Sequence, residues 1–542
     1  MKTTISRGQR QSSQSATVPA PIFGINASAG LAAMNPLESV YCYDMIAQDY
    51  GMRVREGSIE WANGWTGGVA RSIMAFEGNA DADDKLFVAN EVGIWDVTVS
   101  GTTAPSLVVT FASSLNDAGI CSYTNFTNDG NARFLLVCDG ENGYYTWEQA
   151  TNTWAKIAQG GGPSQIANVD PAYFDFVMIW KKRVWFIERA SGNAWYLNSG
   201  VFLGTATKFN FGDQFPNGGR LSALANWTLD GGAGLDDSLV AVSSAGNVAV
   251  FQGTDPANAD TFGLVGTWFV GRLPVGRRVF ASYAGELYVL SIQGLVPMSD
   301  ITRGNAETVV ESFLTNKISP YIRSVLDQYV GKFGWHVHVH PKHAALYITS
   351  PMRASEPQIT FAYYYGSLSW SMLRSLNKND ADNWQDEVYW VSSVDNKVFK
   401  QGGDVDRNYL DKAADGNPEP IEWDMLTAYQ IPEGANPAAF KRCQFIRPMF
   451  VSGGIPVYDV QARYDFNINQ LSGSPTYSGG GVGIWDAGLW DVAVWGGGAD
   501  TVDVPRGTMG IGRHIAVNIR GRSAAPTVLA AFDIIMDTGG LL

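Results

Sequence analysis

The chain has 542 residues, with Gly 60, Pro 23 and Trp 18, charged residues at 17% and a formal net charge of −14. A hydrophobic fraction of 45% excludes wholesale disorder, and no apolar run approaches the ~20 residues that a bilayer-spanning helix needs. The acidic balance argues against a protein whose main task is gripping nucleic acid, since that requires clustered Lys and Arg against phosphate.

Residues 1 to about 20 are polar, with Lys2, Arg7 and Arg10 among Ser, Thr and Gln and no apolar h-region. They read as an extended arm rather than a secretory signal. Residues 1–60 are taken together as an arm and platform segment, in which Asn35-Pro36 opens a short helix expected to end before Gly51.

From 61 to 430 one pattern recurs: a polar or small residue followed by four mostly apolar, β-branched or aromatic ones. It appears as Lys85-Leu86-Phe87-Val88-Ala89, Arg133-Phe134-Leu135-Leu136-Val137 and Arg183-Val184-Trp185-Phe186-Ile187. It returns at Ser238–Val242, Glu286–Leu290, Ala345–Thr349 and Glu387–Val391. The first apolar positions are separated by about 48, 50, 55, 48, 59 and 42 residues, a spacing found in propellers and arrays. Most copies run into a Gly/Asn turn and a second strand-like run, as in Asp139-Gly140-Glu141-Asn142-Gly143 before Tyr144-Tyr145-Thr146-Trp147. A hairpin alone is marginal in water, so units at this interval must pack on one another. Radial packing fits best, and the fold expected is mainly β: an irregular β-propeller of about six to seven blades.

Within the longest interval, Ile322, Val325, Leu326 and Tyr329 recur at i, i+3, i+4, i+7, and Pro320 and Gly331 bracket them. This predicts a helical insertion near 312–330, with Ser319 as its cap. Beyond about 430 the period is lost. Residues 431–542, closing on the alternating run His514–Arg520 and on Val528–Met536, read as a separate C-terminal β-sandwich-like module.

His336, His338 and His340 lie at period two, so a strand would project all three from one face, where imidazoles can hold zinc. The competing reading is a half-buried strand, and no Asp or Glu falls between Gly331 and Thr349 to orient them. Gly231-Gly232-Ala233-Gly234-Leu235-Asp236 matches half of a calcium-binding nonapeptide, but such sites need stacked copies and this is a single one. Asp81, Asp83 and Asp84, and Asp236 with Asp237, precede strands; paired carboxylates do glycosidase chemistry at the right separation, yet acids there more often guard strand edges. Cys42, Cys121, Cys138 and Cys443 are scattered without a CxxC pair. No catalytic residue, cofactor or resident metal is therefore assigned. Trp485, Trp490 and Trp495, repeated every five residues among glycines, are interface candidates.

Several short stretches stand out: Pro21-Ile22-Phe23-Gly24, Tyr50-Gly51-Met52-Arg53-Val54-Arg55-Glu56-Gly57 and Lys181-Lys182-Arg183-Val184-Trp185-Phe186 with Ala194-Trp195-Tyr196. Val250-Phe251-Gln252-Gly253-Thr254-Asp255-Pro256, Gly294-Leu295-Val296-Pro297-Met298, Arg520-Gly521-Arg522-Ser523 and Asp537-Thr538-Gly539-Gly540 join them. In this order they resemble the tail nozzle (tail tubular protein B-like) proteins of short-tailed bacteriophages. The resemblance implies a virion structural protein made in the host cytoplasm: an irregular propeller in a ring, usually of six copies, below the head-to-tail adaptor. It implies contact with tail fibres and with viral DNA in transit, and no enzymatic activity. The alternative is a carbohydrate-binding or carbohydrate-cleaving propeller acting as a receptor-binding tail protein.

Overall fold

The computed structural model describes residues 13–101, 104–229, 236–303, 313–353, 356–374, 376–406, 408–409, 419–432, 435–473 and 500–538. Each of the seven recurring apolar segments is a strand, and each is the second strand of its sheet. Six four-stranded antiparallel units result, over 72–110, 121–156, 174–210, 221–269, 336–374 and 378–401, the last completed by the strand Ser58–Asn63. A three-stranded sheet over 280–297 stands between the fourth and fifth.

The first strands of these sheets meet around a common axis. Cys121 N donates to Ser72 Oγ, Ser122 Oγ to Val177 O, Ile73 N to an Asp380 carboxylate oxygen and Asn383 Nδ2 to Val339 O. These links join the first unit to the second, the second to the third, the sixth back to the first and the sixth to the fifth. The mainly-β arrangement is thus a six-blade β-propeller, with apolar cores filling the wedges between blades. The wedges are aromatic-rich: Phe76 and Phe87 meet Trp147 edge-on at 4.7 and 5.6 Å.

The ring is closed by chain from outside the repeats. Ser58–Asn63 pairs antiparallel with Lys397–Gln401, Ala62 opposite Val398. Just before it, Gly57 exchanges backbone hydrogen bonds with Gly402 and Gly403, and a Cβ at Gly57 would lie 1.9 Å from Val405 O.

The N-terminal segment departs from the helix expected after Asn35-Pro36. Ser39–Tyr43 and Met45–Gln48 are strands separated by Asp44, whose φ of 58° turns the chain. Val40, Tyr41 and Cys42 are buried on both faces, and β-branched and aromatic residues in such a run favour a pleated strand. The predicted helix is present as Ser319–Tyr329 with Ile322, Val325 and Leu326 buried. Its cap position is Ile318 rather than Ser319, because a 3-10 turn over Asn316–Ile318 leads straight into it.

Strand pairings cross the boundaries drawn at 60 and 431. The fifth blade continues through Ser39–Tyr43 to Glu419–Thr427, Ile515–Ser523 and Val457–Tyr464, a nine-stranded sheet including Val405–Asp406. A seven-stranded sheet holds Met45–Gln48, Gly51–Val54, Thr527–Thr538 and Lys441–Ser452, with Gln14–Pro19 along Thr527–Thr538. The two sheets share one core, in which the rings of Trp423 and Phe450 lie 5.8 Å apart. The same core runs on into the fourth and fifth blades through Val240, Val248, Leu346 and Ile348.

Candidate functional site: the propeller axis

Two adjacent arginines, brought in just ahead of the strand Phe280–Tyr283, occupy the axis. Arg278 donates from Nη1 to Ala381 O at 2.8 Å and from Nη2 to Ile73 O at 2.7 Å. Its guanidinium lies 3.4 Å from Asp380 and 3.7 Å from Asp382, over the ring of Tyr123 at 5.2 Å. The Tyr123 hydroxyl donates to Asp382. Burial pushes the Asp382 carboxyl up to about 8 and raises that of Asp380. Arg277 turns the other way, 3.8 Å from Asp117 and 3.4 Å from Asp175.

Between the first strands lies an axial cavity of about 450 Å³, lined among others by Tyr123, Met178, Arg277, Arg278, His338 and Asp382. Beyond Arg277, where the first strands of the blades begin, it gives way to a mouth of about 790 Å³.

His336–His340 is the first strand of the fifth blade, and its histidine face is fully buried, with His336, His338 and His340 3%, 8% and 1% exposed, while Val337 on the opposite face is buried as well. The rings of His336 and His338 stack at 5.6 Å, and Tyr347 of the next strand meets His338 and His340 edge-on. Both ring nitrogens of His338 lack a hydrogen-bond partner. Burial, aided by the nearby Lys378 ammonium, drives His336 and His340 down to about 3 and His338 well below its ordinary value. Lys378 is itself buried, its ammonium over the rings of Tyr347 and Trp390 at 5.5 and 5.4 Å, and burial lowers it to about 7. The row is thus a set of neutral imidazoles serving as core. Among the described residues no group of three or more His, Cys, Asp or Glu is placed to hold a metal ion.

The other sequence candidates are dispersed. Asp84 accepts from Gly78 N at 2.7 Å and from Gln385 Nε2 at 3.2 Å, while Asp81 and Asp83 form an exposed 3-10 turn. Asp237, on the fourth blade, accepts from Thr228 Oγ1 at 2.6 Å. Asp84 and Asp237 therefore tie local turns and strands on different blades, and the side chain of Asp236 lies outside the described residues. The glycine-rich stretch 231–235 lies outside the described residues, as do Trp485, Trp490 and Trp495. The four cysteines are buried and free, their thiols raised by burial. Sequence reading missed Arg277, Arg278 and Lys378; the only local signal was the Arg277-Arg278 doublet itself, whose partners are distant in sequence. Among the described residues no helix is long and apolar enough to cross a membrane.

The class defined by this geometry is a β-propeller whose axis is crossed by Arg278 beside a cavity of about 450 Å³. No family model and no curated protein matches the chain. Among solved structures it is similar to the β-propeller domain of Myceliophteria thermophila Swd1, at 10% identity over 64% of this chain and 99% of that one, with a TM-score of 0.39. It is also similar to the extracellular domain of a hybrid two component system of B. thetaiotaomicron, at 13% identity and a TM-score of 0.39 over 63% of this chain. This chain spans 41% of the length of that second protein. Similarities this low carry no argument, and the propeller arrangement rests on the strand order and the inter-blade hydrogen bonds.

Proposed function

We propose that this chain is a virion structural protein: a subunit of the distal tail tube of a short-tailed bacteriophage, assembled as a ring of six copies below the head-to-tail adaptor. The observation that carries the reading is the set of nozzle-like stretches spread from residue 21 to residue 540. An acidic chain suits the role, because acidic walls repel phosphate at short range and avoid the many contacts that would arrest sliding DNA.

The axis of a single propeller is no conduit for DNA. A cavity of about 450 Å³ crossed by Arg278 has the size of a small-molecule pocket. On this reading the lumen lies between copies, and a single copy supplies only one sector of its wall. Tail fibres and the adaptor would then meet the ring on its outer and upper surfaces.

Negative-stain images of the purified protein test this directly. Closed rings with a central opening wide enough for duplex DNA, and labelling of the same protein in the tail of the particle, are expected. A chain that stays monomeric at every concentration and in the assembled particle would remove the proposal.

A further inference from the structure

We propose that the mouth beyond Arg277 binds an acidic sugar, a hexose ring bearing a carboxylate or a phosphate. This rests on the geometry of the mouth and not on the nozzle reading. The mouth, about 790 Å³, is within the size range of small-molecule sites. Four guanidinium groups and three carboxylates line it, an excess of one positive charge in a chain whose net charge is −14.

The carboxylates are already engaged. Asp117 and Asp175 face Arg277, and Glu141 lies 3.6 Å from Arg189 while accepting from Ser113 Oγ and Asn116 Nδ2. Arg220 and Arg272 are different: both are exposed, both line the mouth, and no described residue pairs with either guanidinium. A free guanidinium presents a planar fork of N–H donors matched to the two oxygens of a carboxylate or phosphate. The two paired arginines, Arg277 and Arg189, offset two of the three carboxylates, and Arg220 and Arg272 turn the remaining deficit of one into an excess of one, so the two unpaired guanidinium groups on this cavity are the ones left to receive an oxyanion.

Phe333 supplies the second half of the specificity. It lines the same mouth and is 40% exposed, a flat apolar face that attracts the weakly positive C–H edge of a sugar ring. Ser222 and Ser244 add hydroxyl groups within the same wall.

The test is calorimetric titration of the full chain at low ionic strength with galacturonate, glucose 6-phosphate and neutral glucose. Both acids are expected to bind at one per chain, and glucose at least tenfold more weakly. The double variant R220Q/R272Q should lose at least tenfold in affinity, and F333A should weaken the acids while leaving the charge of the mouth unchanged. Both arginines are surface residues, so the fold survives the change, and single R272Q gives an independent reading. Tighter binding of one acid than the other identifies the oxyanion and supports the site. No binding of either acid, binding of glucose with equal affinity, or unchanged affinity in R220Q/R272Q each overturns the proposal.

Discussion

The guanidinium of Arg278 stands 3.4 Å from the carboxylate of Asp380, and the same carboxylate accepts the backbone N–H of Ile73. With Arg278 also donating to Ile73 O and Ala381 O, one pair links the three-stranded sheet, the sixth blade and the first blade at the axis. The ring is therefore held at its centre by ionic hydrogen bonds and in its wedges by apolar packing.

Removing one member of such a pair leaves a buried charge uncompensated, which costs about 3–5 kcal/mol. Arg278→Met is expected to lose stability in that range in urea unfolding. The double variant Arg278→Met/Asp380→Asn should recover much of the loss, because Asn keeps an acceptor for Ile73 N–H without the charge. A single variant within about 1 kcal/mol of the parent, the worth of an exposed pair, would show that the arginine is not structural.

The histidine row gives the folded chain an acid-sensitive signature. His336 titrates near 3 when folded and near its ordinary 6.5 when unfolded. Between those values the unfolded chain takes a proton that the folded chain refuses, so stability falls as pH falls, by about 1.4 kcal/mol per pH unit. Above 6.5 the imidazole is neutral in both states and contributes no slope. Lys378 and Arg278 facing the ring reinforce the shift. Asp382, raised to about 8, and Asp424, raised to about 6, give the whole chain a slope of the opposite sign, because these carboxyls hold protons in the folded state that the unfolded chain has released. The clean measurement is a difference: parent minus His336→Phe, by denaturant unfolding from pH 7.5 to 4. That difference should be flat above 7 and fall by about 1.4 kcal/mol per unit below 6.5. Parallel curves would mean that His336 is not buried as described.

What the sequence disclosed was whatever recurs locally. The segments whose first apolar residues are Leu86, Phe134, Val184, Leu239, Leu287, Leu346 and Val388 are all second strands, six in the blades and that of Leu287 in the three-stranded sheet, because an enclosed strand of a sheet must be apolar on both faces. Helix Ser319–Tyr329 was readable for the same reason, from its 3.6-residue stripe. The closure by Ser58–Asn63, the run of Ser39–Tyr43 into the fifth blade's sheet, and the Arg278 cluster depend on residues far apart in sequence; Ile73 and Asp380 are 307 positions apart. No local period encodes such partners. The strand read as half-buried because polar–apolar alternation suggests one exposed face, whereas His336, His338 and His340 and Val337 are all buried, and Lys378, which faces the histidines, lies on a different strand.

Lys378 is a stability liability that follows from its burial. Its ammonium titrates near 7 in the folded chain against an ordinary 10.5. At and below pH 7 the full burial cost is borne; as pH rises toward 10.5 the folded amine is already neutral, and the cost fades. Lys378→Met keeps an unbranched chain whose sulfur can sit against Tyr347 and Trp390. It should stabilise the fold by roughly 1–4 kcal/mol at pH 6, in the manner of other apolar replacements of buried charge. The advantage should shrink steadily between pH 7 and 10. A variant less stable than the parent at pH 6 would show that the ammonium is satisfied by a partner.

Ring closure can be probed at a single backbone contact. Gly57 leads into the strand that completes the sixth blade, and its N–H donates to Gly403 O while its carbonyl accepts from Gly402 N. A Cβ placed there would stand 1.9 Å from Val405 O, a backbone atom that cannot swing aside as a side chain does. Gly57→Ala must therefore push Val405 away, and Asp406 next to it carries the ion pair with Arg55 at 2.5 Å. Overpacking of this kind costs about 1–3 kcal/mol. The loss should be local as well as global: amides of Lys397–Gln401, which face Ser58–Asn63, should exchange faster with solvent, while those of the third blade keep their protection. Uniform loss of protection in all blades would show instead that the ring opens as one cooperative unit and that closure at the sixth blade is not separable from the rest. Unchanged stability together with unchanged exchange would show that the approach of Val405 to Gly57 is not a constraint on the closure at all.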